Sequence, residues 1–164
     1  MKRLFALSVL LIAAGGLAYW WFSPAEVLKR RLGNLLDSAE VSSTMSDIGR
    51  GSRGPRIADY FADPVRLYPP SSLPYDLGGS LGRERLSSLY SLVAKNCREI
   101  SLTDLEVLEV LVEDETAEIR FRVDALVDLG SRRPSDGMLD VQSSWIKREG
   151  DWRIEELRWI ESGR

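Results

Sequence analysis

Residues 144–159 read Ser144-Trp145-Ile146-Lys147-Arg148-Glu149-Gly150-Asp151-Trp152-Arg153-Ile154-Glu155-Glu156-Leu157-Arg158-Trp159. The first part closes a strand, Glu149-Gly150-Asp151 supplies a turn, and the remainder starts another strand. This last strand breaks phase: Trp152 and Ile154 share one parity, Leu157 and Trp159 the other. Strand side chains alternate with period two, so one extra residue at Glu155-Glu156, a β-bulge, returns all four to one face and bends the strand. The stretch therefore predicts a curved sheet with something packed in its hollow.

The preceding segments share that period. Ala117, Ile119, Phe121, Val123, Ala125 and Val127 alternate with Glu118, Arg120, Arg122 and Asp124, the pattern of a long half-buried strand. Leu105 to Val112 reads as a strand joined to it by Glu113-Asp114-Glu115-Thr116. Met138 to Lys147 reads as a third strand, after a polar loop from Gly130 to Gly137, with Leu139, Val141, Ser143 and Trp145 on one side. Before Ile100 the period is helical. Ser23 as N-cap, Pro24 at the first helical position and Glu26 three residues on predict a helix to about Glu40, with Val27, Leu28, Arg31, Leu32, Leu35, Leu36 and Ala39 on one stripe. Ser42 to Pro55 fits a second helical turn or a mobile loop. Pro55 to Ala62 reads as a short helix presenting Ile57, Tyr60 and Phe61, and Val65 to Tyr68 as a short strand. Tyr68 to Gly82, with Pro69, Pro70 and Pro74, reads as a long loop, and Gly82 to Cys97 as a helix with Leu86, Leu89, Tyr90, Val93, Ala94 and Cys97 on one face. Helices followed by a meander of long strands give an α+β domain.

At the other end, Lys2 and Arg3 precede Leu4 to Phe22, nineteen residues without a charge. As a helix this run is about 28 Å long, close to the hydrocarbon thickness of a bilayer. Its close in Tyr19-Trp20-Trp21-Phe22 suits an interfacial aromatic belt, so the preferred expectation is one uncleaved transmembrane helix, with Leu4, Trp20, Trp21 and Phe22 as anchor residues. A cleaved signal peptide ending near Gly16-Leu17-Ala18 is the competing expectation. The division expected is residues 1–23 as anchor or signal segment and 24–162 as one domain. Lys2, Arg3 and the amino terminus nearly balance Lys29, Arg30 and Arg31 on the other flank; a short, positively charged N-terminus usually stays inside, so the expectation is a single pass through a bacterial inner membrane with the domain on the periplasmic or extracytoplasmic side.

Composition narrows the chemistry. The 164 residues include no histidine and one cysteine, Cys97, so imidazole acid/base chemistry, Ser-His or Cys-His pairs and CxxC motifs are excluded. No metal site and no cofactor is expected. With 22 basic and 25 acidic side chains, no nucleic-acid partner is expected either.

Three phrases resemble the nuclear transport factor 2-like (SnoaL-like) superfamily: Asp59-Tyr60-Phe61-Ala62-Asp63-Pro64-Val65, Gly82-Arg83-Glu84-Arg85-Leu86, and Ser144 to Ile154. The resemblance implies a cone-shaped fold, three N-terminal helices on a curved, mainly antiparallel sheet, with a pocket between the two. Enzymes of that superfamily use a His/Asp pair, or an Asp base with Tyr or Asp donors. Here histidine is lacking, and the position matched to the steroid isomerase base, about eight residues beyond Phe61, is Pro69, which takes no proton.

Tyr60, Tyr68, Tyr90, Trp145 and Trp159 are the candidate pocket residues; packing as plain aromatic core is their alternative role. Asp63 and Asp128 stand nearest the expected pocket mouth, with a helix-end and a strand-end role as alternatives. Cys97 reads as an inert core thiol. The outward ladder Glu118, Arg120, Arg122, Asp124 is a docking surface or a set of solvated cross-strand pairs. Arg50, Arg53 and Arg56 read as a solvated loop or as contacts to anionic head groups. No catalytic set emerges. The expected function is a membrane-tethered, non-catalytic module for protein interaction or assembly at the cell envelope, with an unidentified protein partner and a homodimer through the sheet. The layout resembles that of inner-membrane assembly subunits of type IV secretion systems, in architecture and not in sequence. The alternative is a small-molecule-binding or degenerate isomerase/dehydratase-like protein using the cone.

Overall fold

The computed structural model describes residues 21–69, 78–130 and 133–161. Its elements are α1 (Pro24–Ala39), α2 (Asp47–Gly51), α3 (Arg53–Ala58), β1 (Phe61–Tyr68), β2 (Gly79–Leu81), α4 (Arg83–Asn96), β3 (Glu99–Glu113), β4 (Thr116–Asp128), β5 (Ser135–Arg148) and β6 (Asp151–Glu161). One six-stranded sheet has the order β2-β1-β6-β5-β4-β3. All neighbours are antiparallel except β1 with β6. The expected α+β architecture holds: α1, the α2–α3 segment broken at Ser52, and α4 form three helical pieces on one face of the sheet.

The bulge lies where the phase break places it. Ser144 pairs with Glu156 and Trp145 with Ile154, so Glu155 has no cross-strand partner. Trp152, Ile154 and Leu157 are consequently all buried, and Trp159 packs against the same core. Glu149 and Gly150, at φ 55 and 89, make the two-residue turn before it. The core joins Leu28, Leu32 and Leu35 of α1 to Phe61 and Val65 of β1 and to Ile119, Phe121 and Trp145 of the meander. A smaller cluster of Val41, Ala94, Cys97 and Ile100 closes one end, with Tyr90 packed against both.

Helix ends are closed by side chains from elsewhere, because their last carbonyls and first N–H groups have no intrahelical partner. Ser23 Oγ accepts from Glu26 N at 3.4 Å; the Glu26 carboxylate pairs with Lys29 and not with the cap. Arg53 donates to the carbonyls of Asp37 and Ser38 at the end of α1 (3.1 and 3.2 Å). Buried Arg50 donates to the carbonyls of Ala94, Cys97 and Arg98 at the end of α4, and to those of Ser42 and Met45. The arginine-rich segment is therefore structural at Arg50 and Arg53, and not a solvated loop. Asp63 Oδ1 accepts from Arg83 N at 3.2 Å, so it has the helix-end role.

Several boundaries differ from the sequence reading. β1 begins at Phe61 and not Val65, because Tyr60 and Phe61 already pair with Ile154 of β6. The short helix ends at Ala58, and α2 adds a turn within 42–55. β2 lies inside the expected loop 68–82, where Gly79–Leu81 pair with Val65–Leu67; residues 70–77 of that loop lie outside the described residues. β3 starts at Glu99, six residues earlier than expected, and β5 takes up residues 135–137 of the expected polar loop. Val93, assigned to the buried face of α4, is 41% exposed. Leu4 to Trp20 of the expected span lie outside the described residues; among those described, no helix is long and apolar enough to cross a membrane.

Two glycines give opposite expectations. A Cβ on Gly54 would overlap Ser87 O and Ser91 Oγ, where α3 crosses α4, whereas one on Gly33 in α1 meets nothing within 4 Å. Gly54→Ala is expected to cost about 2 kcal/mol or more, and Gly33→Ala to add up to about 1 kcal/mol through helix propensity. Urea midpoints moving in opposite directions would bear this out; equal shifts would refute it.

Candidate functional site

The five aromatic candidates fall into different environments. Trp145 is 1% exposed, and its Nε1 donates to Ser143 Oγ at 2.8 Å, which lies within 3.3 Å of the Ile119 carbonyl. Tyr90 donates its hydroxyl to the Ala39 carbonyl at the end of α1. Tyr60 and Trp159 are half-buried and pack against the same core, with the Arg31 guanidinium 5.1 Å from the centre of the Tyr60 ring. Tyr68 does not join them. Its parity in β1 points it to the helix-free face, 40% exposed, with Arg158 stacked over the ring at 4.5 Å. Four of the five are thus brought together as core, and the hydroxyl of Tyr90 and the indole N–H of Trp145 are engaged within the chain.

Among the described residues, no Asp or Glu is buried; Arg50 and Ser143 are the buried polar side chains. Asp128 accepts from Gly130 N at 2.7 Å and faces Arg98 at 3.9 Å, the strand-end role. Among the same residues no group of His, Cys, Asp and Glu is placed to hold a metal ion. Cys97 is buried, and burial raises its thiol pKa above the ordinary 9.0 against the opposing pull of Arg50, which keeps it protonated and unreactive at neutral pH.

The helix-free face carries a ladder of charges paired across and along strands. Arg122 forks onto Asp140 (2.7 and 3.3 Å), Arg120 reaches Glu109 (3.5 Å), and Glu156 receives Arg158 (3.1 Å) and Arg66 (3.4 Å). Next to it an open groove of about 420 Å³ is lined by Arg66, Leu111, Glu113, Glu118, Ser144 and Glu155, over Ala117 and Trp145. The sequence reading points to a pocket inside the cone and does not place this groove, which the bulged Glu155 helps to line.

No family model matches the sequence, and no curated protein does either. Solved structures do. An association domain from Xanthomonas campestris, provisionally described as that of a calcium/calmodulin dependent protein kinase II, aligns with TM-score 0.59 and 14% identity over 86% of this chain and 91% of its own. A nuclear transport factor 2-like protein from Streptomyces avermitilis, provisionally described as a dehydratase, gives 0.59 and 14% over 82% and 93%. A nuclear transport factor 2-like protein from Novosphingobium aromaticivorans gives 0.54 and 13% over 100% and 92%. The chain has the nuclear transport factor 2-like fold. At these identities the likeness carries the architecture of helices on a curved sheet; this fold hosts many activities.

Burial of Tyr90 raises its pKa well above the ordinary 10.0, with a further push from Cys97. Between the unfolded and folded values the folded chain keeps a proton that the unfolded chain has lost, so stability falls as pH rises. Cys97 starts this decline near pH 9 and Tyr90 adds to it above pH 10. Tyr90→Phe is expected to lose about 1 kcal/mol at neutral pH, with the hydrogen bond to Ala39, yet to show a shallower alkaline decline. Urea unfolding from pH 7 to 11 checks this; parallel curves for the two proteins would contradict it.

Proposed function

We propose that the chain is a membrane-tethered module of this cone fold that works by protein interaction or assembly at a bacterial cell envelope, with no catalytic step in the cone. One observation carries the reading: Tyr90 and Trp145, whose polar groups would orient a ligand inside the cone, direct them to Ala39 and Ser143. A sequence without histidine, and described residues without a buried carboxylate, add support, because acid/base chemistry needs a group poised near neutral pH in the cavity.

The tether is the run Leu4 to Phe22, a single span in the inner membrane with the domain on the periplasmic side. Its support is the uncharged run in the sequence; where the described chain begins, Arg30 donates to the Trp21 carbonyl at 2.8 Å and stands 4.2 Å from the centre of its ring. Trp21 is thereby held against α1. A homodimer through the sheet belongs to the same proposal, and its helix-free face would then meet a second copy. The rival, a small-molecule-binding or dehydratase-like protein, draws on the Streptomyces neighbour's provisional description.

Membrane fractionation tests the tether. Full-length protein is expected to stay with membranes through an alkaline carbonate wash, and a chain starting at Pro24 to appear in the soluble fraction. Full-length protein in the soluble fraction overturns the tether. A thermal-shift screen of small aromatic and alicyclic ketones and alcohols tests the interior. A site filled at about 100 times its Kd adds roughly 2.7 kcal/mol, several degrees in Tm. No saturable shift is expected; one that Trp159→Ala abolishes would establish the rival.

A further inference from the structure

Strand β3 is the long edge of the sheet, and its outward side is only partly used. At its start, the chain leaving α1 already lies along it: Val41 exchanges two backbone hydrogen bonds with Ile100, both 2.9 Å, and the Glu40 carboxylate takes the Leu102 N–H at 3.3 Å. Beyond Leu102 no described strand pairs with this side. Two register shifts follow, between Thr103 and Glu106 and between Val107 and Glu109, with Asp104 at φ 53. Such bulges twist an edge away from unwanted pairing. They end at Glu109, and from there to Glu113 the ladder with β4 is regular.

That regular stretch is unlike a protected edge: Leu111 within it is 52% exposed, and Leu105 and Leu108, at the register shifts before it, are 37% and 45% exposed. β3 also carries Glu99, Asp104, Glu106, Glu109 and Glu113 and no basic residue. Of these, Glu109 is paired with Arg120; Glu113 and Leu111 continue into the groove, where Glu118 adds a carboxylate and Glu155 faces Arg66 at 3.9 Å. A second copy would bring like charges into opposition across the new pair, which disfavours self-association along this edge. A strand of alternating basic and apolar residues meets both features: its backbone completes the ladder, its basic side chains lie on the helix-free face beside Glu113 and Leu111, and its apolar ones continue the half-buried row of Val110 and Val112 on the core face.

We propose that the Leu108–Glu113 edge of β3, with the adjoining groove, binds an extended basic and apolar segment of a protein partner by strand addition. The proposal rests on the interaction-module reading and names its partner chemistry.

The test titrates the full-length chain in detergent micelles with three capped synthetic peptides: alternating Val-Lys, alternating Val-Glu, and the Val-Lys peptide N-methylated on every second residue. The Val-Lys peptide is expected to bind, with amide shifts centred on Leu108–Glu113. The Val-Glu and N-methylated peptides are expected to bind at least about tenfold more weakly, since one lacks the charge complement and the other the backbone donors. The double variant Leu111→Lys/Glu113→Lys should lose a similar factor, while Met138→Lys, elsewhere on the sheet, should lose none. Equal binding of the three peptides, or shifts confined to other strands, overturns the proposal. So does slow amide exchange along 109–113 that shows the edge already covered by the chain itself, or a Leu108→Cys variant that crosslinks two copies. Failure of all three peptides removes the edge assignment alone, because the tether is read by membrane fractionation and the cone interior by thermal shifts.

Discussion

One extra residue in β6 is the constraint on which the rest of the structure depends. Were Glu155 held in the regular pleat instead of bulged out, the period-two alternation would turn Leu157 and Trp159 to the face opposite Trp152 and Ile154, and the sheet would have no continuous apolar side. Each large side chain moved from core to solvent forfeits about 1.5–3 kcal/mol, a substantial part of the stability of an ordinary domain. The same residue permits the parallel pairing with β1, whose register also shifts between Phe61 and Arg66. Curvature, core and the placement of β1 follow from one insertion.

A curved sheet needs helices whose ends are closed without intruding on the core, and arginine does most of this. Arg50 and Arg53 come from the short helical segment between α1 and the sheet, and each gathers the terminal carbonyls of a longer helix. A guanidinium suits this because its several donors lie in a fixed plane, and helix C-termini are the negative ends of their dipoles. These contacts also fix where Tyr90 sits, since its hydroxyl takes the Ala39 carbonyl beside those held by Arg53. Residues that looked like site candidates in the sequence are thus occupied in holding α1 and α4 together.

The meander was legible because its patterns are local: the alternation from Ala117 to Val127, the turn at Glu149-Gly150 and the phase break at Glu155 each show within a few residues. The first capping residues, Ser23 and Pro24, were legible for the same reason. What escaped the reading depends on partners distant in sequence. Phe61 is a strand residue because Ile154 lies beside it, and Gly79–Leu81 form a strand because Val65–Leu67 offer an edge. Tyr68 was assigned to the interior on chemistry, although its parity with Val65 and Leu67 excludes it. The three exposed leucines of β3 were hidden by two bulges, which give Leu105, Leu108 and Leu111 a helix-like spacing in a strand.

What a folded chain can recognise or react with depends on which polar groups remain unengaged after folding. Interior groups bond within the chain, as at Ser143 with Trp145 and Tyr90 with Ala39, and the charges of the helix-free face pair across strands. An enzyme of this size would instead be expected to leave an acid, a base or a donor aimed into a dry cavity, at a cost in stability. Among the described residues, the outward backbone groups of β3 beyond Leu102 meet no strand, and the exposed Leu111 and Glu113 stand beside them. Backbone donors and acceptors in a row are the feature another polypeptide recognises, and the acidic side chains around them select its charge. Under the proposed reading, a protein segment added at the rim would engage these edge groups of β3.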